Sequence, residues 1–162
     1  MGRRYRFWVI IALLVVAHFA LRPRLGDPRF TPDFLLIAQL FLAIRKRPGV
    51  GAMAGFVVGL LTDAVAPTAF GAAALATTIV GFGSGWIRAM FVTDNLVINA
   101  LFVFAAAWLR DLIQVLASNQ LAGHALVWQL IAWSPLAALS TAVAAFLVRL
   151  FLRSWLDTRA PA

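Results

Sequence analysis

Long apolar runs alternate with short polar or basic segments along most of the chain. The length of these runs and their limits at arginine clusters, prolines and turn residues predict helices rather than strands. We predict six membrane-embedded helices, over residues 7–21, 31–46, 49–65, 70–91, 95–117 and 126–149. The pattern therefore indicates an all-α, polytopic six-helix transmembrane bundle in which residues 1–162 form one integral membrane domain.

Prolines set several of the predicted helix boundaries. Thr31, Pro32 and Asp33 give the second helix an N-cap hydroxyl, a proline in its first turn, and a carboxylate near the positive end of its dipole. The third helix should end near Pro67, because the residue before a proline is pushed out of the helical region. Pro135 lacks an amide donor and predicts a kink in the sixth helix.

The first two apolar runs each allow a second interpretation. The basic N-terminus and the run at 7–21 resemble a signal peptide, but no small-residue cleavage site follows, so we expect a retained anchor. The second helix is short for a membrane span, although flanking bases can extend to the headgroups. A five-span protein, with this segment lying in the interface, is the alternative to six spans.

Composition agrees with a membrane protein and excludes several functions. Hydrophobic residues make up 63% of the chain and charged residues 12%, so it cannot present a water-compatible surface. There is no cysteine, which excludes disulfides, thiolate metal sites and a cysteine nucleophile. The two histidines form no helical zinc motif, and Phe82 stands where an intramembrane serine protease motif near Ser84 would need glycine. We expect no enzyme, no metal and no cofactor.

The basic residues indicate the orientation. The net charge is +8, but the bases punctuate apolar runs rather than form a patch interleaved with aromatics, so nucleic-acid binding is not expected. With the N-terminus inside, ten of the fourteen bases are cytoplasmic: Arg3, Arg4, Arg6, Arg45, Lys46, Arg47, Arg88, Arg149, Arg153 and Arg159. The positive-inside rule therefore predicts a multi-pass protein with both termini in the cytoplasm.

Charges within or beside the apolar runs are candidates for function. Each costs about 2.5–3.5 kcal/mol at the middle of a membrane helix and therefore needs a partner, an interface or a role. Asp63 and Arg110 each follow their helix starts by about fourteen residues, or roughly 20 Å, so we predict that they pair. Asp111 points about 100° away from Arg110, so we expect that one partner does not serve both and that one of the two faces another subunit.

Other polar residues extend this prediction. Asp33 begins the second helix and His18 lies near the outer end of the first, which indicates a polar layer in the outer leaflet. Arg88 and Asp94, near the inner end, are expected to form an interfacial pair. Two interpretations stay open: that these groups satisfy one another within the chain, and that they contact a partner.

Small residues mark the predicted contact faces, because close backbone approach favours helix association in lipid. Gly51, Gly55 and Gly59 recur every four residues along the third helix, and Gly81 and Gly85 do so along the fourth. We predict that these two helices pack tightly, either within one chain or between chains.

A series of short motifs resembles the MreD family of rod shape-determining membrane proteins. The motifs cover most of the chain in matching order, and no single one is specific. They are PDFLLI at 32–37, RPGVG at 47–51, GLLTD at 59–63, PTAFG at 67–71, GWIR at 85–88, DNL at 94–96 and WLRD at 108–111.

The resemblance implies a non-enzymatic scaffold subunit of the bacterial cell-elongation (rod) complex, located in the inner membrane. Its expected role is cell-shape maintenance and peptidoglycan synthesis, through binding of MreC, of RodA and of a class B penicillin-binding protein, with MreB engaged indirectly. Membrane lipids are the other expected contacts.

The family's fold also resembles the substrate-binding subunits of energy-coupling-factor transporters. This likeness raises the alternative of a small-molecule-binding membrane subunit of a vitamin-type transporter. In that case Asp33, Asp63, Arg110 and Asp111 would line a ligand site that opens outward.

Overall fold

The structure is a computed structural model that describes residues 3–21, 24, 26, 31–45, 47–65, 69–91, 95–119 and 123–151. Within these ranges the chain forms helices and no strand, which confirms the all-α prediction. The six helices are α1 (Arg3–Leu21), α2 (Phe34–Arg45), α3 (Pro48–Val65), α4 (Ala72–Phe91), α5 (Leu96–Ser118) and α6 (Gly123–Phe151).

Three of these helices, α3, α5 and α6, are long and apolar enough to cross a membrane. The shorter apolar helical stretches are Tyr5–Leu21, Phe34–Arg45 and Ala72–Ile87. At 1.5 Å per residue, α2 is only about 18 Å long. Length and composition therefore identify a polytopic membrane protein, whereas crossing by the shorter helices stays a prediction.

Helix α2 is the central element of the bundle. Residues 35–40 are all buried, as expected for a helix that is apolar on every face. Around it, apolar side chains from α1, α4, α5 and α6 complete one core. The core includes Ile10, Leu14, Leu36, Ile37, Leu40, Val80, Phe102, Val103 and Ala138.

The start of α2 differs from the prediction. The helix begins at Phe34, and Asp33 rather than Thr31 caps it, because Asp33 Oδ1 accepts hydrogen bonds from Leu35 N at 3.1 Å and Leu36 N at 3.0 Å. A carboxylate two to three residues before these amides has the spacing of an N-cap. Asp33 therefore organises the helix as well as carrying charge.

Helices α3 and α4 form a hairpin in which the backbones touch. A Cβ added to Gly51, Gly55, Gly59, Gly81 or Gly85 would lie within 3.0 Å of an atom of the other helix, which real Cβ atoms essentially never do. The paired positions are Gly51 with Gly81, Gly55 with Thr77, Gly59 with Ala74, and Gly85 with Pro48. The small-residue faces thus meet within a single chain.

Helix α6 contains an irregular turn. Its first segment Gly123–Trp128 and its second segment Ser134–Phe151 are joined by a π-helical turn at Gln129–Trp133. The sequence predicted a helix start near residue 126 and a kink at Pro135. The irregularity lies directly before that proline, and the helix begins three residues earlier than predicted.

Candidate functional site

The central feature of the candidate site is an ion network at the start of α2. Arg110 of α5 donates from Nη1 to Asp33 Oδ2, across 77 residues of sequence. Its other terminal nitrogen, Nη2, lies 3.3 Å from Asp111 Oδ1. The side chains of Arg110 and Asp33 are only 12% and 13% exposed. One guanidinium thus lies between two carboxylates inside an apolar bundle.

The predicted pairing of Asp63 with Arg110 is therefore wrong. Asp63 instead accepts three backbone hydrogen bonds, with Oδ2 receiving those of Gly71 N and Ala74 N at 3.0 Å and Oδ1 that of Ala73 N at 3.1 Å. These amides belong to the start of α4, where helix geometry leaves the first amides without partners. A buried carboxylate, 3% exposed, serves as their cap.

The sequence did not predict that Arg110 and Asp111 contact each other, and that one further partner does not serve both stays a prediction. Although adjacent side chains leave a helix about 100° apart, an arginine side chain is long enough to turn back toward its neighbour. The planar guanidinium presents several donors in a fork, so it can serve two carboxylates at once. Arg110 and Asp111 act as one unit with Asp33.

Two further side chains, one histidine and one threonine, extend the network to two more helices. His18 Nδ1 of α1 lies 3.3 Å from Asp33 Oδ1 and accepts a hydrogen bond from Leu35 N, also at 3.3 Å. Thr141 Oγ1 of α6 accepts a hydrogen bond from Asp33 N at 3.1 Å. The start of α2 is therefore attached to α1, α5 and α6. Sequence reasoning identified His18 as part of a polar layer but missed Thr141.

Energetics favour a positioning role for these charges. A buried ion pair gains little net stability, because desolvation offsets the Coulomb attraction, but removal of one partner costs about 3–5 kcal/mol. Among the described residues, the buried atoms Arg110 Nε and Gln114 Oε1 of α5 have no hydrogen-bond partner. The contacts of Asp33 fix the relative positions of four helices.

A second polar contact joins α2 to the hairpin. Gln39 Nε2 donates to the Thr77 carbonyl at 2.7 Å, and Thr77 Oγ1 donates to the Gly55 carbonyl at 2.6 Å. Gln39 is 2% exposed. Sequence reasoning missed this contact, although a single amide side chain in the apolar run of α2 was an available signal.

The predicted contact between Arg88 and Asp94 falls outside the described side chains. Asp94 and the side chain of Arg88 lie outside the described residues, so their predicted interfacial pair stays a prediction. Over the described part of the chain, no group of three or more His, Asp or Glu side chains could hold a metal ion.

An all-helical bundle with long apolar helices and inward-turned charges defines a polytopic membrane protein. A family model described as rod shape-determining protein MreD matches residues 1–155 of the 162-residue chain. The chain therefore belongs to the MreD family, whose members are associated with bacterial cell shape and the rod complex. No curated protein matches the chain, and no solved structure does. The likeness to energy-coupling-factor subunits stays a prediction.

Proposed function

We propose that this protein is a non-enzymatic scaffold of the rod complex that binds MreC, RodA and a class B penicillin-binding protein, with MreB engaged indirectly. It would act in the bacterial inner membrane with six spans and both termini cytoplasmic. Family membership over residues 1–155 is the observation that carries the proposal.

The use of the buried charges supports a scaffold. The Asp63 carboxylate binds the amides of α4, and the Arg110 guanidinium binds Asp33 and Asp111. These groups hold helices in place, so we assign partner contact to other surfaces. Large apolar side chains are exposed on α3, α4 and α5, among them Met53, Phe56, Phe82, Trp86 and Leu101. Such faces can pack against lipid or partner helices.

The network gives those faces a fixed geometry. Association costs less when a surface is already in its bound arrangement, because fewer groups must be ordered on binding. Arg110 connects α5 to α2, and Gln39 connects α2 to the α3–α4 hairpin. The proposed role of the polar contacts is therefore to preorganise apolar surfaces that recognise partners.

Copurification tests the proposal. A tagged copy expressed with its MreC and RodA should retain both proteins in mild detergent. Replacement Arg110→Ala should reduce their recovery, whereas Arg47→Ala, at an exposed base outside the network, should not. Recovery of neither partner with a well-folded, monodisperse bait would contradict the scaffold proposal. Full recovery with Arg110→Ala would contradict only the role given to the network.

A specific observation also supports the small-molecule alternative. Arg110 Nε and Gln114 Oε1 are buried, lie one helical turn apart on α5 and have no hydrogen-bond partner in the described part of the chain. A hydroxyl or amide group could accept from the first and donate to the second. Asp63 is not part of this candidate ligand site, because its carboxylate already accepts hydrogen bonds from backbone amides at the start of α4.

Native mass spectrometry separates the two candidates. A vitamin-type binding subunit should retain a small molecule through purification and lose it on Gln114→Leu. A scaffold should carry no such adduct and should copurify with its partners whether residue 114 is Gln or Leu. Asn99→Leu, at a partly exposed position, is the matched control for adding an apolar side chain to α5.

A further inference from the structure

The π-helical turn of α6 lies next to a proline and receives a hydrogen bond from α5. Ser134 N donates to the Gln129 carbonyl, five residues before it, which is the π pattern. Pro135 follows and has no amide, so it cannot donate to the Leu130 carbonyl five residues before it. Trp108 Nε1 of α5 donates to that same carbonyl at 3.3 Å.

We propose that α6 is a hinged helix and that Trp108 is its latch. The indole N–H takes the place of the amide that Pro135 lacks. In a bilayer a backbone carbonyl without a donor is costly, and neighbouring helices commonly supply the missing bond near a proline. The Trp108 hydrogen bond thus gives the Leu130 carbonyl a donor and sets the angle between α5 and the N-terminal part of α6.

Burial indicates which side of the hinge can move. None of the residues in Gly123–Trp128 or in the π turn is buried. The second segment, Ser134–Phe151, in contrast buries Ser134, Ala138, Thr141, Ala142 and Ala145 against the bundle. We therefore define the arm as residues 123–133 and expect it to move relative to the anchored second segment.

The scale of the motion follows from helix geometry. An arm of eleven residues is roughly 16 Å long at 1.5 Å per residue. A change of about 20° at the kink, the lower limit of a sharp bend, would displace its end by about 6 Å. Val127, Trp128 and Ile131 are exposed apolar side chains on this arm, and they would move with it. The hinge would therefore reposition an apolar membrane surface without disturbing the ion network.

Distance measurements between two spin labels test the latch. The chain has no cysteine, so cysteines at Val65, the exposed end of α3, and Ala125, on the arm, can be labelled without background. In lipid nanodiscs, Trp108→Phe should broaden the distance distribution or shift it by up to about 6 Å. Trp86→Phe, at an exposed tryptophan of α4, is the matched control and should leave the distribution unchanged.

A second variant separates the missing hydrogen bond from a general loss of packing. Pro135→Ala restores an amide that can reach the Leu130 carbonyl, so Trp108→Phe should have little or no effect in that background. The proposal is overturned if Trp108→Phe leaves the distribution unchanged with Pro135 present. It is also overturned if the effect of Trp108→Phe is equally large in the native background and in the Pro135→Ala background.

Discussion

Asp63, which is buried, and Asp33, which is part-buried, are both carboxylates that cap a helix, yet their surroundings differ. Asp63 contacts three backbone amides of α4, within eleven residues of sequence, and completes a hairpin already held by glycine contacts. Asp33 caps its own helix and also binds Arg110, 77 residues away. The contacts of Asp63 are thus local in the sequence, whereas Asp33 joins helices that are distant in the sequence.

This difference predicts unequal sensitivity to mutation. In the hairpin, both the hydrogen bonds to Asp63 and the close contacts of small residues hold α3 against α4. A single substitution should therefore remove only part of the stabilisation. In the ion network, Arg110 serves two carboxylates, so its loss leaves both without their guanidinium partner. Stability can be compared as the free energy of unfolding in detergent micelles or nanodiscs.

The largest expected effect is that of Arg110→Ala. It should reduce the free energy of unfolding by about 3–5 kcal/mol, because it removes the guanidinium that pairs with two part-buried carboxylates. Arg110→Lys keeps the charge but loses the fork geometry, so its stability should fall between those of the native protein and Arg110→Ala. Unfolding by denaturant in micelles measures both. A loss below about 1 kcal/mol for Arg110→Ala, typical of an exposed pair, would contradict a buried network.

Asp63→Ala should have the next largest effect, a loss of about 1–3 kcal/mol. Three amides at the start of α4 would lose their acceptor, and the loss of a helix N-cap as a whole costs about 0.5–2 kcal/mol, more where the amides are buried. Asp63→Asn keeps one acceptor oxygen and should lose less. Hydrogen exchange at Ala73 and Ala74 checks the mechanism, because both amides should exchange faster in the variant. Unchanged exchange there would show that Asp63 is not the cap.

The glycine contacts predict opposite signs for two similar changes. Gly55→Ala should destabilise by about 1–3 kcal/mol, because the new methyl group would clash with the backbone of α4 at Thr77. Gly83→Ala, in the same hairpin but facing open space, should stabilise by up to about 1 kcal/mol through helix propensity. The same unfolding assay compares them. Equal effects would show that the helices do not approach closely at Gly55.

Much of the fold could be predicted from the sequence. Helix number, the small-residue faces of α3 and α4, and the irregularity near Pro135 all follow from local patterns. The start of α2 was misplaced because Thr31, Pro32 and Asp33 form overlapping capping signals, and only the chain's path shows that Asp33 reaches the amides.

The site was predicted less well, for a geometric reason. Counting residues along a helix gives the height of Asp63 and Arg110 in the membrane but not the direction in which each side chain points around the bundle. Asp63 faces α4 because the glycine face of α3 packs there, and Arg110 faces α2. Thr141 gave no signal, because a single threonine is common in apolar helices.

A pair of double-mutant cycles tests the central claim most directly. The unfolding free energies of Asp33→Asn, Asp63→Asn and Arg110→Gln would be measured singly and in the two pairs that include Arg110. We predict a coupling of about 1–3 kcal/mol between Asp33 and Arg110, and additivity within about 0.5 kcal/mol between Asp63 and Arg110. Strong coupling of Arg110 to Asp63, with none to Asp33, would contradict the account.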